Sequence, residues 1–334
     1  IKRDRLIWSG DLSPEILTCL YLFGDNPNIP NALSALREST PADKWMNNIP
    51  SYSAWWVMNL CDYCRFTGND GFYRENRDYA ATIMKRINGF VAEDGSFDFN
   101  EDPEKCMIYF LDWPTHRKPD AQVGTAAMLM YTAQKMLEME DNADCREICR
   151  KLQPWLKADA IHKQVRAFQI LAGRREPGDA EFLEKGGAEG MSTFMAYYIL
   201  KADAIAGGTK MIDMTKEYFG AMLLRGATTF WEDFHMDWLE GSGRIDEFPA
   251  PGQKDIHGDY GAFCYQGLRH SFCHGWASGV LAFLYEYLLG VKMLPGGKYQ
   301  VEPTAMGLQQ VEGVVPVPDS MLKVQIRNGE ITVQ

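Results

Sequence analysis

Helical segments of two kinds follow one another along the chain, and this pattern constrains the fold most strongly. The segments "AMLMYTA" and "MSTFMAYYIL" are apolar nearly all round, whereas "DCREICRKLQPWL" carries one polar face. Helices that are apolar on every side are buried, and amphipathic helices face water on one side. We therefore predict an inner ring of buried helices wrapped by an outer ring, which is an α/α toroid. A stacked α-solenoid would give a similar pattern, but the sequence has no repeat of fixed period.

Local signals predict where some of these elements begin and end. In "SPEILTCLYLF", Ser13 is the predicted N-cap and Pro14 the first helical residue, with Gly24 as the stop, and a later helix is predicted to end at Gly68. The tail "MLKVQIRNGEITVQ" alternates apolar and polar residues around Asn328-Gly329, which is typical of a β-hairpin. The fold class predicted is therefore all-α with a short C-terminal β-segment.

Charge and composition narrow the partners. The 334 residues are 46% hydrophobic and include 34 Lys and Arg against 45 Asp and Glu, a net charge of -11. This balance disfavours nucleic acid and anionic membranes, and weakly disfavours a polyanionic polysaccharide. No run of 18 apolar residues is present. Because the first residue is Ile1, we expect a fragment of a longer chain whose other domains are partners; a periplasmic or secreted location is favoured and a cytoplasmic one stays open.

Cysteines and nucleotide motifs do not indicate a cofactor. Cys61 and Cys64 form a CxxC, and Cys145 and Cys149 are one helical turn apart, but no second CxxC lies at zinc-site spacing. We predict that these thiols pack in the core as small hydrophobic groups. The sequence contains no G-x-S-x-G, no P-loop and no G-x-G-x-x-G opening a helix. Neither a metal nor a cofactor is expected.

Tryptophans and acids recur together in segments between the helices. They occur in "KRDRLIWSGD", "FLDWP", "TFWEDFHMDWLEG" and, with histidine, in "SFCHGWASG". Tryptophan faces stack on sugar rings, carboxylates accept hydrogen bonds from hydroxyls, and glycosidic hydrolysis needs two carboxyl groups. A long stretch without periodicity, roughly residues 241 to 269, is typical of a binding loop. Together these features predict a carbohydrate site.

Four of these stretches carry a family resemblance. "KRDRLIWSGD" is similar to the signature of the α-L-rhamnosidase family of inverting glycoside hydrolases, in which an acid, a tryptophan four residues on and an aspartate three further on line the sugar subsite. "LDWP", "ATTFWED" and "SFCHGWASGVLAFLYEYLLG" recur in that family's order and near its spacing. The resemblance covers residues 1 to about 290. It implies an (α/α)6 catalytic barrel over residues 1–296, and residues 297–334 resemble the start of the family's C-terminal β-sandwich.

The resemblance also implies roles for individual residues. Asp4 matches the general acid and Glu232 the general base. Trp8 and Asp11 match residues that contact the ring and bind hydroxyls, and Trp113 and His274 match subsite residues. The other substrate-binding residues predicted are Arg3, Trp55, Trp56, Asp112 and Trp231.

Two departures from the family pattern affect the acid. The family's acid is often glutamate, whereas Asp4 is shorter by one methylene. The family also has a sugar-binding aspartate a few residues before the acid, which here would precede Ile1. Asp233 and Asp237 remain alternatives to Glu232 as base, and a calcium site in this acidic cluster stays open although the EF-hand spacing is absent.

The function implied is removal of terminal rhamnose from plant or bacterial glycans or glycosides. Three alternatives stay open: another (α/α)6 glycosidase, a polysaccharide lyase, and a sugar-binding protein without catalysis. A lyase would need a Tyr, His or Lys base and a cation to neutralise a uronate, which the acid-rich loops disfavour.

Overall fold

The structure, a computed structural model, describes residues 6–99, 107–248, 250–252, 255–256, 271–318 and 320–334. The described chain is mostly helical and ends in short β-strands, so the predicted helical class with a C-terminal β-segment is confirmed. The α-helices are α1 (Ser9–Phe23), α2 (Asn28–Ser39), α3 (Pro50–Thr67), α4 (Asp70–Phe90), α5 (Ala121–Met139), α6 (Ala143–Leu152), α7 (Lys163–Leu171), α8 (Asp179–Glu184), α9 (Ala196–Ile205), α10 (Met211–Leu224) and α11 (Gly279–Phe283). A π-helical turn, Leu284–Leu288, continues α11.

The odd-numbered helices contact one another in succession. Helix α1 packs on α3, α3 on α5, α5 on α7, α7 on α9 and α9 on α11, and α11 packs back on α1. The even-numbered helices lie against this set: α2 and α4 contact α3, α6 contacts α5, α8 contacts α7 and α9, and α10 contacts α9. Helix α3 is buried on nearly every face, whereas α4 buries one stripe. The two kinds of helix distinguished in the sequence therefore occupy different environments.

The predicted start of α1 is wrong, and its predicted end is confirmed. The helix begins at Ser9 rather than at Pro14, and the Ser13 hydroxyl lies 2.7 Å from the Tyr198 hydroxyl instead of capping a helix N–H. Pro14 is therefore inside the helix, where its ring nitrogen cannot donate a backbone hydrogen bond. Helices α1 and α3 end before Gly24 and Gly68, whose φ angles are 73° and 72°.

The strands form two antiparallel units. Strands β1 (Val291–Leu294) and β2 (Lys298–Val301) pair with each other, and β3 (Gln310–Val317), β4 (Ser320–Arg327) and β5 (Glu330–Val333) form a three-stranded sheet in chain order. The predicted hairpin is confirmed, because Arg327 pairs with Glu330 across a turn in which Asn328 and Gly329 both have positive φ. Strand β3 packs on α1, which attaches the sheet to the helices.

The cysteines of the helical segments lie inside the protein. Cys61, Cys64 and Cys145 are buried in the core, and Cys149 is half-buried. Burial raises the pKa of Cys64 and of Cys145 to about 12, so both thiols are protonated at neutral pH. Among the described residues, the helices are too short or too polar to cross a membrane.

Candidate functional site

Two motifs that are far apart in sequence meet at the start of α1. Asp11, in the first turn of that helix, has its Oδ1 3.5 Å from Nε2 of His274, which precedes α11. A cavity of about 220 Å³ lies beside this pair, and Trp8, Glu15 and Cys273 are among the residues that line it. The acid-tryptophan stretch at the start of the chain and the "HGW" stretch near its end therefore form one site.

Asp11 is held in place by a tyrosine of α3. The Tyr52 hydroxyl donates a hydrogen bond to Asp11 Oδ2 at 3.1 Å. Burial raises the pKa of Asp11 well above its usual range, the negative charge of Glu15 adds to the rise, and the bond from Tyr52 opposes it. A Cβ atom at Gly10 would stand 2.6 Å from the Tyr52 ring, so the glycine of "WSGD" lets this ring approach α1 closely enough to reach Asp11.

His274 is neutral, and its tautomer follows from its contacts. Burial lowers the pKa of His274 to about 4, so the ring is uncharged at neutral pH. The backbone N–H of Trp276 donates to Nδ1 at 3.4 Å, and therefore Nε2 carries the hydrogen. The 3.5 Å approach of Nε2 to Asp11 is thus a contact of a neutral donor with a carboxyl group rather than an ion pair.

Glu232 lies on a segment that pairs with the residues before α11. Its N–H donates to the Ser271 carbonyl at 2.8 Å, and the His274 N–H donates to the Phe230 carbonyl at 2.8 Å. The Ser271 N–H in turn donates to Glu232 Oε2 at 2.6 Å, and the Trp276 indole donates to the Glu232 carbonyl oxygen at 2.7 Å. The side chain is buried and its backbone is fixed on both sides.

The two neighbouring acids that were alternatives to Glu232 have other environments. Asp237 is exposed on a 3-10 turn, Met236–Leu239. Asp233 is buried and lies near Tyr218 of α10. The pKa of Tyr218 is well above its usual range, mainly because that tyrosine is buried and secondly because of the negative charge of Asp233.

Asp112 and Trp113 precede α5 and connect to the same region through Ser192 and Thr193, which precede α9. Asp112 is 1% exposed; its Oδ1 accepts from the Trp113 N–H at 2.8 Å, and its Oδ2 accepts from the Ser192 hydroxyl. The hydroxyl of the next residue, Thr193, donates to the Glu232 carbonyl oxygen at 2.6 Å. Burial raises the pKa of Asp112 to about 7. Trp113 is half-buried, with its ring 5.0 Å from that of Phe110.

Three tryptophans predicted to contact the sugar lie in the core instead. Trp55, Trp56 and Trp231 have no exposed surface. The Trp56 indole donates to the Leu33 carbonyl at 3.0 Å and packs on Tyr79, so it fills the space between α3 and the outer helices. These large rings are used for packing, which gives them no face to offer a ligand.

Some predicted residues are outside the described part of the chain. Arg3 and Asp4 belong to residues 1–5, and most of the C-terminal half of the predicted binding loop belongs to residues 257–270. In the sequence, Arg3 and Asp4 precede Trp8, and the loop precedes Ser271.

The sequence analysis missed several residues of the site. Tyr52, Ser192 and Thr193 gave no local signal, because each acts on a residue far away in sequence. Glu15 had a detectable signal, since it follows Asp11 by one helical turn and therefore shares its face. Burial raises the pKa of Glu15 to about 7, and a Cβ atom at Gly275 would collide with its carboxylate.

The arrangement suits a hydroxyl-rich ligand. The cavity offers the carboxyl groups of Asp11 and Glu15, and within the described residues the buried indole N–H of Trp8 has no acceptor. Carboxylates and indole N–H groups are acceptors and donors for sugar hydroxyls. In the described ranges, no group of three His, Cys, Asp or Glu side chains is arranged to hold a metal ion.

Comparisons with solved structures identify proteins of similar fold. A GH78 family rhamnosidase of Bacillus sp. GL1 has a TM-score of 0.68 and 19% identity over 98% of this chain. A rhamnosidase from Klebsiella oxytoca with rhamnose bound has a TM-score of 0.64 and 20% identity over 85% of this chain. A Streptomyces avermitilis α-L-rhamnosidase complexed with L-rhamnose has a TM-score of 0.68 and 12% identity over 98% of this chain.

These similarities show a shared fold at low sequence identity. The chain spans 37%, 58% and 33% of the lengths of those three proteins, in the same order. No protein-family model and no curated protein matches the sequence.

Proposed function

We propose that the chain is the catalytic part of an inverting α-L-rhamnosidase that removes terminal rhamnose from plant or bacterial glycans or glycosides. The proposal includes an (α/α)6 barrel over residues 1–296 and the start of a β-sandwich element over residues 297–334. The succession of contacts from α1 through the odd-numbered helices and back to α1 supports the barrel. All three similar structures described above are rhamnosidases, and two of them hold rhamnose, which supports the substrate.

The observation that carries the proposal is the meeting of Asp11 and His274 beside one cavity, with the Glu232 segment bonded to the residues that precede His274. Oδ1 of Asp11 and Nε2 of His274 are 3.5 Å apart, and the Glu232 N–H bonds the carbonyl oxygen of Ser271, three residues before His274. The negative charge of Glu232 also contributes to the raised pKa of Asp11, after burial and Glu15. A buried carboxylate with fixed backbone is suited to orient a water molecule as general base.

The proposed mechanism divides the work between two carboxyl groups. Asp4 would protonate the leaving oxygen, and Glu232 would deprotonate a water that attacks the anomeric carbon from the opposite face. In inverting enzymes the two carboxyl groups lie about 6.5–9.5 Å apart, which leaves room for that water. The sugar would be held by Trp8, Asp11, Asp112, Trp113, His274 and Arg3. No cofactor is part of this proposal, and the partners proposed are a carbohydrate substrate and other domains of a longer chain.

The composition of the cavity favours hydrolysis over elimination. Its described lining contains Asp11 and Glu15 but neither lysine nor arginine. A polysaccharide lyase needs a positive group to neutralise the substrate carboxylate, and the described lining supplies none, since its histidine, His274, is neutral.

The test is the stereochemistry of hydrolysis of an aryl α-L-rhamnoside, followed by proton NMR. The proposal predicts that β-L-rhamnose appears first and then mutarotates. If α-L-rhamnose appears first, the inverting mechanism is wrong. If the protein binds rhamnose but releases no product on long incubation, it is a sugar-binding protein rather than a hydrolase.

A further inference from the structure

The residues of the candidate site lie where the odd-numbered helices begin. They are in the first turn of α1 and α3 and in the segments before α5, α9 and α11: Asp11, Tyr52, Asp112, Ser192 and His274. Of the six odd-numbered helices, α7 is preceded by a residue outside this set, His162. The regular placement of the other five directs attention to this histidine.

Hydrogen bonds hold the start of α7 against the segments that precede α5 and α9. Gln164, in the first turn of α7, donates to the Ser192 hydroxyl at 3.0 Å, and that hydroxyl in turn donates to Asp112. Burial raises the pKa of Asp112, and a positive charge on His162 is one of the influences that oppose the rise. Burial lowers the pKa of His235, three residues after the proposed base, and His162 adds to this fall. His162 is therefore close to both segments that carry the proposed sugar contacts and base.

Asp120 fixes the orientation of the His162 ring. It stands directly before α5, yet its side chain does not cap that helix. Its Oδ2 instead accepts the N–H groups of Ile161 and His162 at 2.8 and 2.9 Å, and its Oδ1 lies 2.7 Å from Nδ1 of the ring. Burial acts to raise the pKa of Asp120, but the bonds from the ring and from the two N–H groups lower it to about 2. The carboxylate is therefore ionised at neutral pH.

The ionised carboxylate determines what the other ring nitrogen can do. A carboxylate only accepts hydrogen bonds, so Nδ1 of His162 carries a hydrogen, and in the uncharged ring Nε2 is an acceptor. The side chain of His162 is 24% exposed, whereas that of Asp120 is 3% exposed. In His274 the arrangement is the reverse, because Nδ1 accepts and Nε2 carries the hydrogen. The two histidines thus present one acceptor and one donor, and a sugar hydroxyl can bond with either.

We propose that His162 is a further substrate-binding residue, whose Nε2 accepts a hydrogen bond from a ring hydroxyl of the terminal rhamnose, and that Asp120 is its positioning residue. This inference rests on the proposed function. Replacing Asp120 by asparagine would reverse the ring. The amide oxygen is needed by the two backbone N–H groups, so the amide nitrogen faces Nδ1, and Nε2 becomes a donor.

The experiment is steady-state kinetics of the full-length protein on an aryl α-L-rhamnoside. His162→Asn keeps an amide N–H for Asp120 but has no atom near the position of Nε2, whereas the longer His162→Gln has its amide group there. We expect KM to rise about three- to tenfold in His162→Asn, the equivalent of one neutral hydrogen bond, with kcat changed less than about twofold. His162→Gln should restore part of the loss.

Two further comparisons separate binding from a structural effect. Asp120→Asn should raise KM as His162→Asn does, and the double variant should raise it no further, because both changes remove one acceptor. Asp159→Asn, which alters an exposed acid of the same loop, should keep the wild-type KM. Among three aryl rhamnosides that each lack one ring hydroxyl, one should give the wild type and His162→Asn the same KM.

The outcomes distinguish this inference from the proposed function. Hydrolysis by the wild type together with an unchanged KM in His162→Asn, or with the same KM ratio on the parent and all three deoxy substrates, would refute the role of His162 and leave the proposed function standing. Additive effects in the double variant would refute the role of Asp120. A wild-type protein that neither binds nor hydrolyses rhamnosides would refute the proposed function and this inference with it.

Discussion

Replacing Asp112 by asparagine should make the protein more stable at alkaline pH, and the reason lies in the burial of this carboxyl group. Burial raises the pKa of Asp112 from 3.8 to about 7. In the unfolded chain an aspartate ionises near pH 3.9. Between these two values the folded state keeps a proton that the unfolded state has lost. The contribution of Asp112 to the free energy of unfolding is therefore present at low pH and is lost as the pH rises from about 4 to about 7.

The size of the effect follows from the shift. One pKa unit corresponds to about 1.36 kcal/mol, so a rise of about three units amounts to about 4 kcal/mol as an upper limit. Asparagine does not ionise, and its carbonyl oxygen can still accept the hydrogen bond from the Trp113 N–H. Its amide group would face the Ser192 hydroxyl in place of an oxygen, which costs about 1 kcal/mol if that bond is weakened. The Asp112→Asn protein should therefore be equal to or slightly less stable than the wild type at about pH 4.5, and more stable at about pH 8.

Urea denaturation at these two pH values measures the difference. Other buried acids titrate in both proteins, so the comparison of variant with wild type isolates Asp112. Asp237→Asn is the control, because Asp237 is exposed and its replacement should change neither curve. If the stability difference between the Asp112→Asn protein and the wild type is the same at both pH values, the carboxyl group does not titrate near 7 and the reasoning from burial is refuted.

Three further predictions concern the site and its support. Gly10→Ala places a Cβ atom 2.6 Å from the Tyr52 ring and should lower the free energy of unfolding by about 1–3 kcal/mol. Gly89→Ala, which has open space around the new Cβ atom, should raise the free energy of unfolding by about 0.5–1 kcal/mol. Urea denaturation of the two variants measures both changes. Trp113→Ala should weaken rhamnose binding at least tenfold, as measured by calorimetry. Trp56→Phe should leave binding unchanged and lower the free energy of unfolding by about 1–3 kcal/mol, because it removes a buried hydrogen bond. Equal effects of the two substitutions on binding would contradict the assignment of Trp113 to the sugar and of Trp56 to the core. Rhamnose affinity should increase as the pH rises through about 7, because Glu15 then ionises and becomes a better acceptor, and Glu15→Gln should remove this pH dependence.

Much of the helical architecture could be predicted from the sequence because the signals are local. Apolar residues on every face of "SAWWVMNLCDYC" predict burial, and this segment is α3. The Asn328-Gly329 hairpin depends only on neighbouring residues and was confirmed. The start of α1 was mispredicted because Ser13 bonds Tyr198, a contact between residues 185 positions apart that competes with capping.

The site could be predicted only in part, for the same reason. The acid-tryptophan stretches marked Asp11 and His274, and the structure brings these two together. Tryptophan in itself does not distinguish a wall of a cavity from the core, which is why Trp55 and Trp56 were assigned to the sugar. The residue that holds Asp11, Tyr52, carries no signal of its function because its partner lies on another helix.

The most direct test of the central claim is the kinetics of the Glu232→Gln protein on an aryl α-L-rhamnoside. A general base contributes about 10²–10⁴-fold to the rate. The account predicts a loss of turnover in this range with rhamnose affinity changed by less than about threefold, while Glu240→Gln, an exposed glutamate of the same segment, keeps wild-type turnover. Turnover retained in the Glu232→Gln protein would contradict the account.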